Sequence, residues 1–138
     1  MDEFEIIRRY FTPDKTGKHV IVGVGDDGAV MRPKPGRDLV TVVDTLVAGV
    51  HFPDGLAAED VGFRAVAVNV SDMAAMGAWP RWMTIALTLE GVVPDWLAGF
   101  ANGIRLAGDR YGVDIVGGDM TRGAETVITV QVSGDVKR

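Results

Sequence analysis

Five aspartates and one histidine carry the chemistry this sequence could perform. Asp26 and Asp27 stand in Gly25-Asp26-Asp27-Gly28, Asp44 follows the apolar run Leu39 to Val43, and Asp119 closes Gly117-Gly118-Asp119. Asp72 lies in Asn69-Val70-Ser71-Asp72, and His51 sits between Val50 and Phe52. Taken singly, an acid beside glycine reads as a strand-terminating turn. Together they read differently, because ligands of layered α/β structures gather beyond strand ends and three of these acids end apolar runs. Asp72 falls in the helical row Val61, Ala65, Val68, Asp72, Met76, where a charged carboxylate needs a cation, a metal or several donors. If the acids converge, protonation or divalent cations must relieve their repulsion. Mg²⁺ suits such a site, since it takes oxygen ligands and shares its shell between carboxylates and phosphates. The neighbouring glycines would let backbone come close to a phosphate. His51 alone reads as an ordinary loop histidine, but its place after the Asp44 run would suit an anionic group. Ser71 is no nucleophile candidate, because it lies within a helix rather than on a strained elbow.

The elements that must position these residues follow from hydrophobic periodicity. Asp2 to Phe11 is a short helix with Phe4, Ile7 and Phe11 on one side, expected to act as a lid or arm. Strands are expected over His19 to Gly25 and Ala29 to Met31, around the acidic turn, and over Leu39 to Val43, ending at Asp44. Thr45 to Pro53 is too irregular for either regular element. Val61 to Met76 is almost wholly Val, Ala, Met and Phe, so this helix is expected at the centre of the fold with Asn69 and Asp72 side by side. Arg81 to Leu89 reads as a strand. From Pro94 to Tyr111 the spacing of Leu97, Phe100, Ile104 and Ala107 gives an amphipathic helix stopped by Gly112. Val113 to Val116 is a strand broken by Gly117-Gly118-Asp119, and Thr126 to Val132 is a last strand. Trp79, Trp82 and Trp96 are expected in the core or an interface. This order predicts an α/β (α+β) fold, a mixed sheet with helices on one face.

The chain's 138 residues make one domain, and 47% hydrophobic residues can bury a core. Fourteen Lys and Arg against nineteen Asp and Glu leave a net charge of −5, which argues against nucleic acid as a partner. The absence of Cys excludes disulfides and thiolate chemistry. With no basic leader and no run long enough to span a membrane, a cytoplasmic place without membrane attachment is expected.

Four blocks carry a resemblance to a known family. They are Gly25-Asp26-Asp27-Gly28-Ala29, the run from Asp44 to Phe52, the run from Asn69 to Ala78 with Pro80, and Gly117-Gly118-Asp119 with Thr121-Arg122-Gly123. In this order they resemble the thiamine-monophosphate kinase family, within the superfamily of aminoimidazole ribonucleotide synthetase. The resemblance implies an N-terminal ATP- and Mg²⁺-binding domain over residues 1–138, with a four-stranded type of sheet that pairs with a second subunit's in a homodimer. The family's C-terminal domain would be absent from this chain. By the same resemblance Asp27, Asp44, Asp72 and Asp119 would hold Mg²⁺ against the ATP phosphates, Gly118 and Asp119 would touch the nucleotide, and His51 would meet thiamine monophosphate. The product would be thiamine diphosphate. This sequence has Val42 and Val43 where the family carries hydroxyl residues before the strand-end acid, so only their carbonyls could serve a metal. Two alternatives are another ATP-using member of the superfamily and a non-catalytic dimerisation and metal-binding module.

Overall fold

A computed structural model describes all residues, 1–138. The chain opens with a short helix, α1 (Glu3–Ile6), fixed at its start by a reciprocal cap: the Glu5 N–H donates to Asp2 Oδ1 at 2.8 Å, and the Asp2 N–H donates to Glu5 Oε2 at 2.9 Å. It continues as a wider π turn over Ile7–Phe11, closed by the Thr12 hydroxyl donating to the Ile7 carbonyl. A small antiparallel hairpin follows, β1 (Val20–Val22) with β2 (Val30–Met31), and the acidic turn Gly25 to Gly28 lies in its loop.

The remaining elements are β3 (Arg37–Val47), α2 (Ala58–Ala75), β4 (Trp79–Leu89), α3 (Pro94–Tyr111), β5 (Asp114–Arg122) and β6 (Val127–Lys137). They build a four-stranded sheet in the order β3-β6-β4-β5. The α3 crossover makes β4 and β5 parallel, while β6 runs antiparallel to both β3 and β4, so the sheet is mixed. The helices pack on one face. Val61, Val66 and Met73 of α2 and Leu97, Phe100 and Ile104 of α3 meet the inward residues Ile85, Leu87, Val130 and Val132 in one core. Pro94 starts α3, where its missing N–H costs nothing, and Gly112 ends it in the left-handed region at φ 70°. The helices approach closely at two glycines: a Cβ on Gly103 would lie 2.0 Å from the Glu59 carbonyl oxygen, and one on Gly62 2.3 Å from that of Phe100.

The elements and core positions follow the sequence reading, with two corrections. First, the strands run further than expected. β3 passes through Asp44 to Val47, and β5 passes through Gly117, Gly118 and Asp119 to Arg122, so these acids lie within strands and not beyond them. A bulge at Val116 resets the register, with Met83 opposite Ile115 and Thr84 opposite Gly117. Only glycine fits at position 118 of this strand, because a Cβ there would fall 2.0 Å from the Ile85 carbonyl oxygen. Second, α2 is not buried on all sides. Val61 and Ala65 are covered, but Asp72 and Met76 of the same row are exposed. Ser71, Asp72, Ala74, Ala75 and Met76 leave the outer side of its last turns in solvent. Asn69 therefore does not share Asp72's surroundings: it is fully buried. Of the tryptophans expected in the core or an interface, Trp82 is buried and Trp79 is 65% exposed.

Candidate active site

Two adjoining cavities share one rim. Asp26, Asp27, Gly117, Gly118 and Asp119 line both, together with Ile85 of β4. The first cavity, about 460 Å³, extends under α1 and has an apolar wall that includes Phe4, Ile7, Phe11 and Leu87. The second, about 330 Å³, continues over Gly28, Ala29, Thr84 and Ala86. The hairpin loop brings Asp27 to the rim from one side, and the bulged stretch of β5 brings Asp119 from the other. Asp26 accepts the N–H of Asp27 at 2.8 Å, and the Thr121 hydroxyl donates to Asp119 at 3.3 Å. No Lys, Arg or His lines either cavity. A polyanion entering here meets carboxylates and no side-chain cation.

Asp44 and Asp72 form a second pair. β3 presents Asp44 towards the helices, in the alternation set by half-buried Val42 and buried Leu46, and there Asp72 of α2 comes within hydrogen-bonding reach. Burial pushes the Asp44 carboxyl above the usual carboxylate range, and the hydrogen bond and charge of Asp72 push it further. Two acids share this place, and no cation near them answers their charge in the shift of Asp44.

The two pairs are not in mutual contact. Asp44, Val130, Ile85 and Gly118 form one cross-strand row, which separates Asp44 from Gly118 by three strand spacings, roughly 14 Å. No group of three or more His, Asp or Glu side chains stands close enough to hold a metal ion by itself. The arrangement fits divalent cations that take part of their shell from a ligand's oxygens, which is how Mg²⁺ is commonly held. Val42 and Val43 lie on β3, an edge strand, so alternate carbonyls there point away from β6.

His51 lies in the turn after β3, away from both cavity walls. The Val47 N–H donates to its Nδ1 at 2.8 Å, which leaves the proton of the neutral ring on Nε2, turned outward. Buried Phe52 and the pairing of Ala48 with Phe52 anchor this turn. Sequence reasoning gave no role to three polar groups, and of these it singled out only Asn69. Thr84 edges the second cavity and donates to Gln131 at 3.1 Å. Asn69 gives its amide to the Ala65 carbonyl and leaves Oδ1 buried without a partner. Asp135, 2% exposed, accepts from Arg37 at 2.8 Å and from Arg81 at 3.1 Å. Only Asn69 had a signal, as a polar residue in an apolar helix.

Comparison with known proteins gives the chain's family and fold. A family model described as AIR synthase related protein, N-terminal domain, matches residues 25–136. The thiamine-monophosphate kinase of Buchnera aphidicola subsp. Acyrthosiphon pisum (strain APS) is 39% identical over 137 residues, 99% of this chain and 42% of its own length. The crystal structure of thiamine-monophosphate kinase from Stenotrophomonas maltophilia K279a superposes with a TM-score of 0.81 at 39% identity, covering 98% of this chain and 41% of that one. A structure of AaThiL complexed with AMPPCP and TMP gives a TM-score of 0.73 at 33% identity, covering 82% of this chain and 37% of that one. The chain thus spans about two fifths of the length of the relatives it matches.

Proposed function

We propose, from the premise that this chain belongs to the AIR synthase related family as its N-terminal domain, that residues 1–138 form the ATP- and Mg²⁺-binding part of a thiamine-monophosphate kinase. The observation that carries this reading is the double cavity: a chamber walled by Phe4, Ile7 and Phe11 joined to a second over Gly28, Ala29 and Thr84 by a rim of glycines and acids, with no cationic side chain. An amphiphilic polyanion carried in with divalent ions suits it, and a nucleoside triphosphate is such a ligand.

In this reading Asp27, Asp44, Asp72 and Asp119 would hold Mg²⁺, with the Val42 and Val43 carbonyls as further oxygen donors. Bound there, Mg²⁺ would neutralise the phosphate oxygens and the charge that develops on them. Gly118 lets the β5 backbone come close to the nucleotide. His51, with Nε2–H turned outward, donates to the phosphate of thiamine monophosphate. A phosphate oxygen of thiamine monophosphate attacks the γ-phosphorus of ATP; the new P–O bond forms as the bond to the β-phosphate oxygen breaks, giving thiamine diphosphate and ADP. The acceptor is already anionic, so positioning and charge neutralisation are the protein's task and no general base is required.

Two copies are expected to pair through their sheets. The face opposite the helices exposes Leu39 and Val43, and β3 leaves an unpaired edge beside them. No helix is long and apolar enough to cross a membrane, and a reaction that consumes ATP is proposed to take place in the cytoplasm. The test is product formation by the full-length protein with ATP, Mg²⁺ and thiamine monophosphate. Thiamine diphosphate appearing with ADP in equal amounts supports the proposal. ADP formed only with other acceptors would assign the chain to a different ATP-using member of the family, and no ADP with any acceptor would leave an assembly role.

A further inference from the structure

The hairpin of β1 and β2 brings the acidic turn to the cavity rim, yet little binds it to the four-stranded sheet. Its two strands pair only with each other, and Val20, Ile21, Val22, Val30 and Met31 take no part in the core. Its hydrogen bonds close on themselves as well: the Val20 N–H donates to the Gly17 carbonyl at 3.0 Å, and the Arg32 N–H donates to the His19 carbonyl at 2.8 Å. From residues 13–35 a single hydrogen bond reaches the rest of the chain, and there the Gly17 N–H donates to Asp114 Oδ2 at 3.2 Å. Asp114 opens β5 opposite Trp82 of β4. It is set there by the left-handed turn at Gly112 and by the Val113 N–H, which donates to the Gly108 carbonyl at 2.9 Å. Five positions on, the same strand brings Asp119 to the rim. The fit at Gly17 is close, since a Cβ there would lie 2.3 Å from Asp114 Oδ2.

A carboxylate that accepts a backbone N–H makes one of the stronger hydrogen bonds of a protein. With no core contact to share the task, this bond decides where the hairpin rests on the sheet, and so where Asp27 stands relative to Asp119. We propose that Asp114 is a positioning residue for the rim: its carboxylate clamps the Gly17 N–H, and the clamp holds the turn with Asp26 and Asp27 beside β5. The inference rests on the reading of that rim as the place of a metal-bearing triphosphate. It gives a role to an acid that lines neither cavity. A hairpin already in place spares the ligand the entropy cost of ordering it, so loss of the clamp weakens binding without removing any group that meets the ligand.

Three variants of the full-length protein test the clamp. Asp114→Ala removes the acceptor, Gly17→Ala turns the carboxylate aside without opening the core, and Asp114→Asn keeps an acceptor oxygen in place. Hydrogen exchange without nucleotide or Mg²⁺ reads the clamp itself. The amides of residues 17, 20 and 32 should exchange about tenfold faster in Asp114→Ala and Gly17→Ala, with those of β4 and β6 unchanged and Asp114→Asn close to the unaltered protein. Calorimetry and kinetics read the consequence. Mg-ATP affinity should fall about tenfold in the same two variants and the KM for Mg-ATP should rise with it, while the KM for thiamine monophosphate and the melting midpoint hold. Unchanged exchange would show that the hairpin is held without this bond, and faster exchange with unchanged Mg-ATP affinity would make the bond a structural tie only; either result overturns the inference. A loss in Asp114→Asn as large as in Asp114→Ala would overturn it too, since charge and not the bond would then matter. If the unaltered protein binds Mg-ATP and the variants bind it equally well, the inference fails alone; if the unaltered protein binds none, the nucleotide reading fails and takes the inference with it.

Discussion

Asp44 sits where two opposing demands meet. Burial and the neighbouring Asp72 raise its carboxyl pKa, so charging it costs the folded state free energy; the cost is absent below the ordinary carboxylate value and complete above the raised one. A protein that keeps such a pair has a use for its charge, and holding a divalent cation is the use proposed here. Asp72→Asn removes that charge with little change in volume. Loss of groups that merely orient metal ligands costs roughly 10–100-fold, so loss of a ligand is expected to lower phosphoryl transfer by about 100-fold or more. Because Asp72 is exposed, the melting midpoint without Mg²⁺ should hold or rise by no more than about 2 °C. Steady-state kinetics and thermal melting check both parts, and unaltered turnover would remove Asp72 from the metal site. Asp135 behaves in the opposite way. Burial alone would raise its pKa, but the Arg81 and Arg37 guanidiniums outweigh burial and hold it below the usual range. Its contribution to stability is therefore complete above the unfolded-state value of about 3.9 and is lost as pH falls through the lower folded value. Asp135→Asn should cost about 3 kcal/mol at neutral pH, by leaving two guanidiniums unpaired, and should flatten the acid limb of the stability curve. Denaturant titrations from pH 7 down to about pH 2 would show this, and an unchanged acid limb would contradict it.

Among the elements, α2 and α3 approach closely at Gly62 and Gly103. Gly103→Ala would put a Cβ 2.0 Å from the Glu59 carbonyl oxygen and 2.9 Å from the Phe63 nitrogen, so the helices must separate. The expected cost is about 1–3 kcal/mol by denaturant unfolding, and a variant of unchanged stability would show that the crossing tolerates a side chain. The helices were legible in the sequence because their signals are local: Pro94 and Gly112 bracket α3, and Leu97, Phe100, Ile104 and Ala107 mark its buried stripe. The length of β5 was not legible. Two glycines and an acid ordinarily end a strand, and this one continues past a bulge at Val116, with only glycine fitting at position 118. The exposure of Asp72 was hidden for a similar reason, since the row from Val61 to Met76 records helical phase but not which turns are covered.

At the scale of the whole molecule, the sheet divides the candidate site into parts that no local pattern shows. The loop and β5 acids gather at a shared cavity rim, while Asp44 and Asp72 pair roughly 14 Å away along one cross-strand row. The sequence blocks named these residues, but a grouping into two pairs depends on strand order, which periodicity does not encode. What unites the pairs in the proposed function is a ligand that brings its own cations, because the cavity lining supplies carboxylates and no positive side chain. The most direct measurement is ATP affinity of the full-length protein by calorimetry, in Mg²⁺ and again with Mg²⁺ removed by EDTA. The account predicts binding in Mg²⁺ and a loss of at least about 100-fold without it, as bare triphosphate meets an acidic rim. Equal affinity in EDTA would contradict it, since ATP would then be held by groups other than these acids.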